Sequence, residues 1–210
     1  MQKTTRNRQY VLRAPIGALR PPALRRAPLA YGFRPLLGLT SCRIQTERYV
    51  TTVGGIMTEK RFIYRGKQFP NVNIEPINYS PSFFQMELDL ESDVFYELRL
   101  ANGILPVRIN ESTSEQLDEI KSFFLKNKDT FYFLFSNDQE LIASILHLNN
   151  YIQALSVSKK YQRQGYGEQL SKYCINRILS NGYSSVELNV LAGNDRAEKL
   201  YRKLGFVEEP

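Results

Sequence analysis

The apolar positions of this chain become regular only from about residue 104 onward. Residues 104–109 read as a short strand. Ser112-Thr113-Ser114-Glu115 has the spacing of a capping box, and the helix it would open carries Leu117, Ile120, Phe123 and Phe124 on one side. Residues 131–135 form an aromatic strand, Asn137-Asp138 a turn, and residues 141–148 a second strand. Asn149-Asn150 turns again into an extended apolar run over residues 151–157. Leu170, Tyr173, Cys174, Ile178 and Leu179 then recur at helical spacing, and Asn181-Gly182 ends that helix. Residues 185–191 are a strand. Asn194 caps a last helix in which Asp195/Lys199 and Glu198/Arg202 are spaced as ion pairs, and Gly205 stops it. The order β-α-β-β-β-α-β-α-β predicts an α/β (α+β) fold with a mixed central sheet flanked by helices.

Residues 57–103 are less legible. Stretches 60–64, 83–90 and 94–100 have strand-like or mixed content, and Pro70, Pro76 and Pro81 break the intervals. They read as an N-terminal appendage with some extended structure, preceding a core over residues 104–210. Residues 1–56 show no sustained period and are rich in Arg, Pro, Gly and Ala. Three readings stay open: a disordered arm, a targeting peptide weakened by its prolines, or a wrongly chosen start ahead of Met57.

Charge sharpens this division. The net +7 of the 210 residues comes from residues 1–56, which hold ten Lys/Arg against Glu47 alone, whereas residues 57–210 are slightly acidic. No basic face for nucleic acid is implied in the folded part. No run approaches the length of a membrane helix. Cys42 and Cys174 read as free thiols in a reducing, cytoplasmic setting. His147 is the only histidine, so neither a zinc site nor a Ser-His-Asp triad is expected.

Candidate chemistry lies where the apolar run hands over to a helix, in Tyr161-Gln162-Arg163-Gln164-Gly165-Tyr166-Gly167-Glu168. The first turn of a helix offers unpaired N–H groups and the positive end of the dipole, and glycines let a phosphate approach the backbone. A dinucleotide fingerprint would need glycine where Leu170 stands, and a Walker A loop would need Lys and Ser/Thr where Glu168 and Gln169 stand. The spacing of Gln162, Gly165 and Gly167 instead resembles the Gln/Arg-x-x-Gly-x-Gly/Ala pyrophosphate loop of the GNAT superfamily of N-acetyltransferases. Downstream, Asn194, Ala197, Leu200, Tyr201, Leu204, Gly205 and Phe206 resemble that family's second signature. The resemblance covers roughly residues 105–208.

This resemblance implies a GNAT-like sheet and direct acetyl transfer from acetyl-CoA to a primary amine of a peptide or small molecule, without a metal. It implies pyrophosphate contacts from the backbone N–H groups of Arg163, Gln164, Gly165, Tyr166, Gly167 and Glu168. It implies main-chain bonds to the pantetheine from Leu155, Ser156 and Val157, with the Val157 N–H facing the thioester oxygen, and a further contact from Asn194. Tyr201 stands at the position of the general acid, and Arg163 reads equally as a solvated charge. Some peptide acetyltransferases of the family have a glutamate where this chain has Asn189, and Glu187, two residues earlier, is the candidate base. Two other readings stay open: a non-catalytic acyl-CoA-binding regulatory domain, and a toxin-type enzyme acting on charged tRNA through the basic arm. The family's closing hairpin has no counterpart before Pro210, so the sheet edge is expected to be covered by residues 57–103 or by a second subunit in a homodimer.

Overall fold

The structure, a computed structural model, describes residues 59–210. The readings of residues 1–56, including Cys42 and the basic arm, lie outside them. The strands are β1 (Glu59–Tyr64), β2 (Ile77–Asn78), β3 (Phe131–Phe135), β4 (Leu141–Leu148), β5 (Tyr151–Val157), β6 (Val186–Leu191) and β7 (Val207–Glu209). The α-helices are α1 (Phe84–Val94), α2 (Tyr96–Ala101), α3 (Ser114–Lys126), α4 (Tyr166–Ser180) and α5 (Asp195–Lys203).

Seven strands make one mixed sheet in the order β2-β3-β4-β5-β6-β1-β7. Helices cover both faces, because strand residues alternate sides. Tyr132, Leu134 and Ile145 pack with Leu170, Cys174 and Ile178 of α4, while Phe131, Phe133 and Leu146 pack with Ile120 and Phe124 of α3 and Leu88 of α1. All described strand pairs are antiparallel except β5–β6. That parallel pair meets at one register position, Tyr151 opposite Glu187, and no ladder joins it further along. The sheet is therefore splayed between β5 and β6.

The edge beyond β6 is taken by β1, which pairs with it from Glu59↔Leu191 to Tyr64↔Val186, and the short β7 lies outside β1. The β1 strand thus contributes Phe62, Ile63 and Tyr64 to the interior.

Several local expectations need correction. Residues 104–109 form no strand: Pro106 lacks an N–H for a ladder, Gly103 turns the chain at φ 62°, and Ile104 and Ile109 are buried singly. The α3 cap is Thr113 rather than Ser112; its hydroxyl accepts from the Gln116 N–H, and the Gln116 side chain accepts from the Thr113 N–H. Residues 83–90 and 94–100 are mostly helical. Their apolar period is hidden because α1 buries Glu87, Glu91 and Ser92 along with Leu88 and Leu90.

Candidate active site

The glycine turn leaves β5 through Ser158 and a 3-10 turn, Lys159–Tyr161. Arg163 and Gly165 both take positive φ, 62° and 88°, and Gly165 is the N-cap of α4. A side chain at Gly165 would meet open space, so its glycine serves the backbone conformation. Gly167 serves proximity: a Cβ there would stand 3.3 Å from Val157 Cγ2. The helix start is thereby drawn onto the end of β5. Gln162 fastens the turn, donating to the Val157 carbonyl at 3.0 Å and accepting from Arg196 at 2.8 Å. Gln164 donates to the Lys160 carbonyl at 3.0 Å.

Among the described residues, nothing accepts a hydrogen bond from the main-chain N–H groups of residues 163–168. Successive free amides at a helix N-terminus make a concave donor set suited to an anion. The Glu168 side chain does not oppose it: Lys172 and Lys203 hold that carboxylate and lower its pKa.

The end of β5 points the same way. The Ser158 N–H donates to the Ile142 carbonyl across the β4 side. By the two-residue alternation of a strand, the N–H groups of Val157 and Leu155 face the splay, while Ser156 shares its sheet face with its cross-strand partner Ser144.

A cleft occupies the splay and runs through the sheet. Its walls are Ile152 to Leu155 of β5 and Leu188 to Leu191 of β6. One mouth is framed by Asn194, Ala197 and Tyr201, and the other by Phe95 and Leu98. Asn194 caps α5, accepting from the Ala197 N–H at 3.2 Å, and its amide NH2 donates to no described residue. Tyr201 is 6 % exposed and packs edge-on to Phe206. Its hydroxyl makes no hydrogen bond to a described residue, and burial pushes its pKa up, so the phenol keeps its proton. Leu155, Asn194 and Tyr201 thus line one gap, while Val157, two residues along β5, lies outside its lining and against Gly167 of the glycine turn.

Glu187 is not brought there. Its carboxylate accepts from Arg61 Nη2 at 2.8 Å and from Asn150 at 3.4 Å, and it is absent from the cleft lining. His147 is buried in β4, with Nδ1 2.9 Å from the Asn149 carbonyl, and burial lowers its pKa. Cys174 is a free thiol inside the core whose pKa burial pushes up. No His/Cys/Asp/Glu group among the described residues could hold a metal ion. No described helix is long and apolar enough to cross a membrane.

Sequence reasoning missed Phe95 and Leu98 on the second side of the cleft and the buried acids of α1. Burial raises the carboxyl pKa of Glu87 well above its usual value and that of Glu91 to about 7, while it lowers that of Arg99. The one signal was the spacing of Glu87 and Glu91, four residues apart in a stretch with two leucines.

A splayed parallel strand pair, crossed by a cleft and flanked by an anion-ready helix start, defines an acyl-transferase type of fold. Residues 93–206 match the Acetyltransferase (GNAT) family, more than half of the 210 residues, and the chain belongs to that family. No curated protein matches it. Among solved structures, a GCN5-related N-acetyltransferase from Sphaerobacter thermophilus is similar at 19 % identity and a TM-score of 0.51, over 73 % of this chain and 49 % of that one. A GNAT-family acetyltransferase from Colwellia psychrerythraea is similar at 9 % identity and a TM-score of 0.53, over 73 % and 54 % of the two chains. At these identities they attest the fold alone. The matched region spans about half the length of both.

Proposed function

We propose that this protein is an acetyl-CoA-dependent N-acetyltransferase that passes an acetyl group directly to a primary amine of a peptide or small molecule. The carrying observation is the through-sheet cleft. Its lining includes Tyr201, whose hydroxyl has no partner among the described residues, and Leu155, against which Gly167 brings the free amides of residues 163–168. The donors fit a diphosphate, since six main-chain N–H groups at a positive dipole end need no particular side chain. Gly167 matters because it keeps those donors close to β5. Leu155 and Val157 supply strand N–H groups to an amide-bearing arm, and the Val157 N–H is the donor for a developing oxyanion. Asn194 adds a side-chain NH2. Tyr201, protonated throughout the neutral range, donates to the departing sulfur.

Proximity carries most of the rate in this reading. The amine must reach the thioester from the mouth lined by Phe95 and Leu98, because Asn194, Ala197 and Tyr201 frame the other. Glu187 would have to leave Arg61 to act as the base. A cytoplasmic setting and a homodimer remain part of the proposal, with nothing in the fold requiring either.

The test is thiol release from acetyl-CoA with a panel of peptides, polyamines, aminoglycosides and amino acids, for wild type and Tyr201→Phe. Turnover with one acceptor class, reduced strongly by the substitution, supports the reading. Acetyl-CoA binding without turnover for any amine overturns it in favour of an acyl-CoA-binding regulatory domain. Activity on charged tRNA, lost on deleting residues 1–56, would place the acceptor with the basic arm instead.

A further inference from the structure

The cleft through the sheet is lined by apolar, amide and phenol side chains, and by no group that is charged at neutral pH. Val186, Leu188 and Val190 of β6 pack in the cluster beneath α4, so strand alternation turns Asn189 and Leu191 to the α1–α2 face. On β5 a bulge breaks the alternation. Leu146 stands opposite Ala154 and His147 opposite Ile152, which leaves Gln153 as the extra residue. Gln153 is 4 % exposed, and Gln153, Ala154, Asn189 and Leu191 share the lining with Phe95 and Leu98.

The charges nearest this face are engaged outside the lining. Glu187 accepts from Arg61, and Glu59 accepts from Asn189 Nδ2 at 2.8 Å. The second bond holds the Asn189 carboxamide from the β1 side. A carboxamide carries two donors and two acceptor lone pairs, so Asn189 and Gln153 have capacity beyond a single protein partner. Beyond Leu98 the apolar character continues. Leu100 and Leu105 are 53 % and 60 % exposed, and the loop that holds Leu105 is tied to α2 by the Ile104 N–H on the Arg99 carbonyl.

A second charge beside the reacting amine would be desolvated here with no counter-charge on the lining, whereas an apolar side chain gains by leaving water. With no acid on the lining, the amine itself must enter neutral. At pH 7 about a tenth of an α-amine is neutral, against about one part in 2,500 of an alkylamine. The carboxamides of Gln153 and Asn189 match the donor and the acceptor of a peptide bond.

We propose that the acceptor is the α-amine of a peptide that begins with an apolar side chain, with that side chain against Phe95 and Leu98 and the first peptide bond against Gln153 and Asn189. This rests on the acetyltransferase reading above. The neutral nitrogen forms a bond to the thioester carbon while the carbon–sulfur bond breaks. Tyr201 protonates the departing sulfur, the proton lost from nitrogen passes to water, and water returns one to the phenol.

Thiol release from acetyl-CoA by the full-length chain is measured with Leu-Gly-Gly, Asp-Gly-Gly and Lys-Gly-Gly as C-terminal amides, and with hexylamine. Leu-Gly-Gly should exceed both charged peptides in kcat/KM by about tenfold or more. Hexylamine should be about 100-fold slower at pH 7 and gain about tenfold per pH unit. Leu98→Glu should turn the preference toward Lys-Gly-Gly. Asn189→Leu should raise the KM for Leu-Gly-Gly and leave that for hexylamine unchanged, which decides the matter should Leu98→Glu fail to fold. A wild type that prefers a charged peptide or hexylamine overturns the assignment, as does an Asn189→Leu that weakens both acceptors equally. Calorimetric binding of the same peptides separates the two readings. Leu-Gly-Gly bound in preference to Asp-Gly-Gly without turnover sustains the subsite and sinks the enzymatic reading, whereas turnover with charged acceptors alone sinks the subsite.

Discussion

The two mouths of the cleft are built from opposite materials. On the α4–α5 side the donors are main-chain N–H groups, and the side chains beneath them, Leu170, Cys174, Ile175 and Ile178, are apolar but for Ser171. On the α1–α2 side the main chain is tied up in helices, and buried polar side chains face inward: Glu87, Glu91, Ser92 and Arg99. The first arrangement offers donors that need no particular side chain, and so tolerates change in most of them. The second depends on individual side chains whose burial is costly unless each finds a partner. The comparison teaches that donors carried by the main chain are indifferent to most side chains, whereas a buried polar cluster rests on the identity of each residue in it.

The largest expected effect tests the line between the two. Tyr201→Phe removes a hydroxyl with no partner among the described residues, so melting temperature should barely move, while kcat for acetyl transfer drops about 100-fold, roughly 2.7 kcal/mol of barrier. A fall in stability with unchanged kcat would make Tyr201 merely a core residue. Next is Gly167→Val, which forces bulk against Val157. It should cost about 1–3 kcal/mol and raise the acetyl-CoA KM, while the pH dependence of stability set by the buried acids of α1 persists. Equal damage at both mouths, read by calorimetry, would dissolve the division.

The acids predict a pH dependence of stability. Burial raises both carboxyls above the ordinary 4.5, so their contribution is full below that pH and is lost as pH climbs through the raised values. Melting temperature should fall by several degrees from pH 4.5 to 7, and Glu91→Gln should flatten the profile. The smallest effect is expected at the outer sheet. Lys60 pairs with Glu198 at 2.7 Å, but the lysine faces solvent, so Lys60→Ala should leave the denaturant midpoint almost unmoved and turnover unchanged.

Legibility in the sequence followed the same division. Residues Phe131 to Phe206 were read almost element by element, because apolar periods, the Asn194 cap and the glycines at 165, 182 and 205 are local marks. The α3 start slipped by one residue, since Ser112 and Thr113 both offer a hydroxyl and only the backbone turn decides which one caps. Two helices before residue 103 were read as strand-like or mixed. Helical reading relies on an apolar stripe, and α1 carries carboxylates on the face it buries. The candidate acid Tyr201 and the candidate donors of the glycine turn were named from motifs. The buried acids of α1 were not, since a glutamate in a sequence reads as solvent-facing.

The amino-acid sequence alone determined the family and the two signatures that carry it. It also set the turn in which Gly165 and Gly167 open a helix and the absence of a dinucleotide or Walker loop. These are properties of residues within a few positions of each other, where dihedral preferences and caps act directly. Tertiary structure alone decided that β1 inserts between β6 and β7, that β5 and β6 part beyond Tyr151, and that Glu87 and Glu91 are enclosed where α1 packs on the sheet. Those outcomes depend on which distant surfaces exclude water from one another, and no short stretch of chain encodes its own partner.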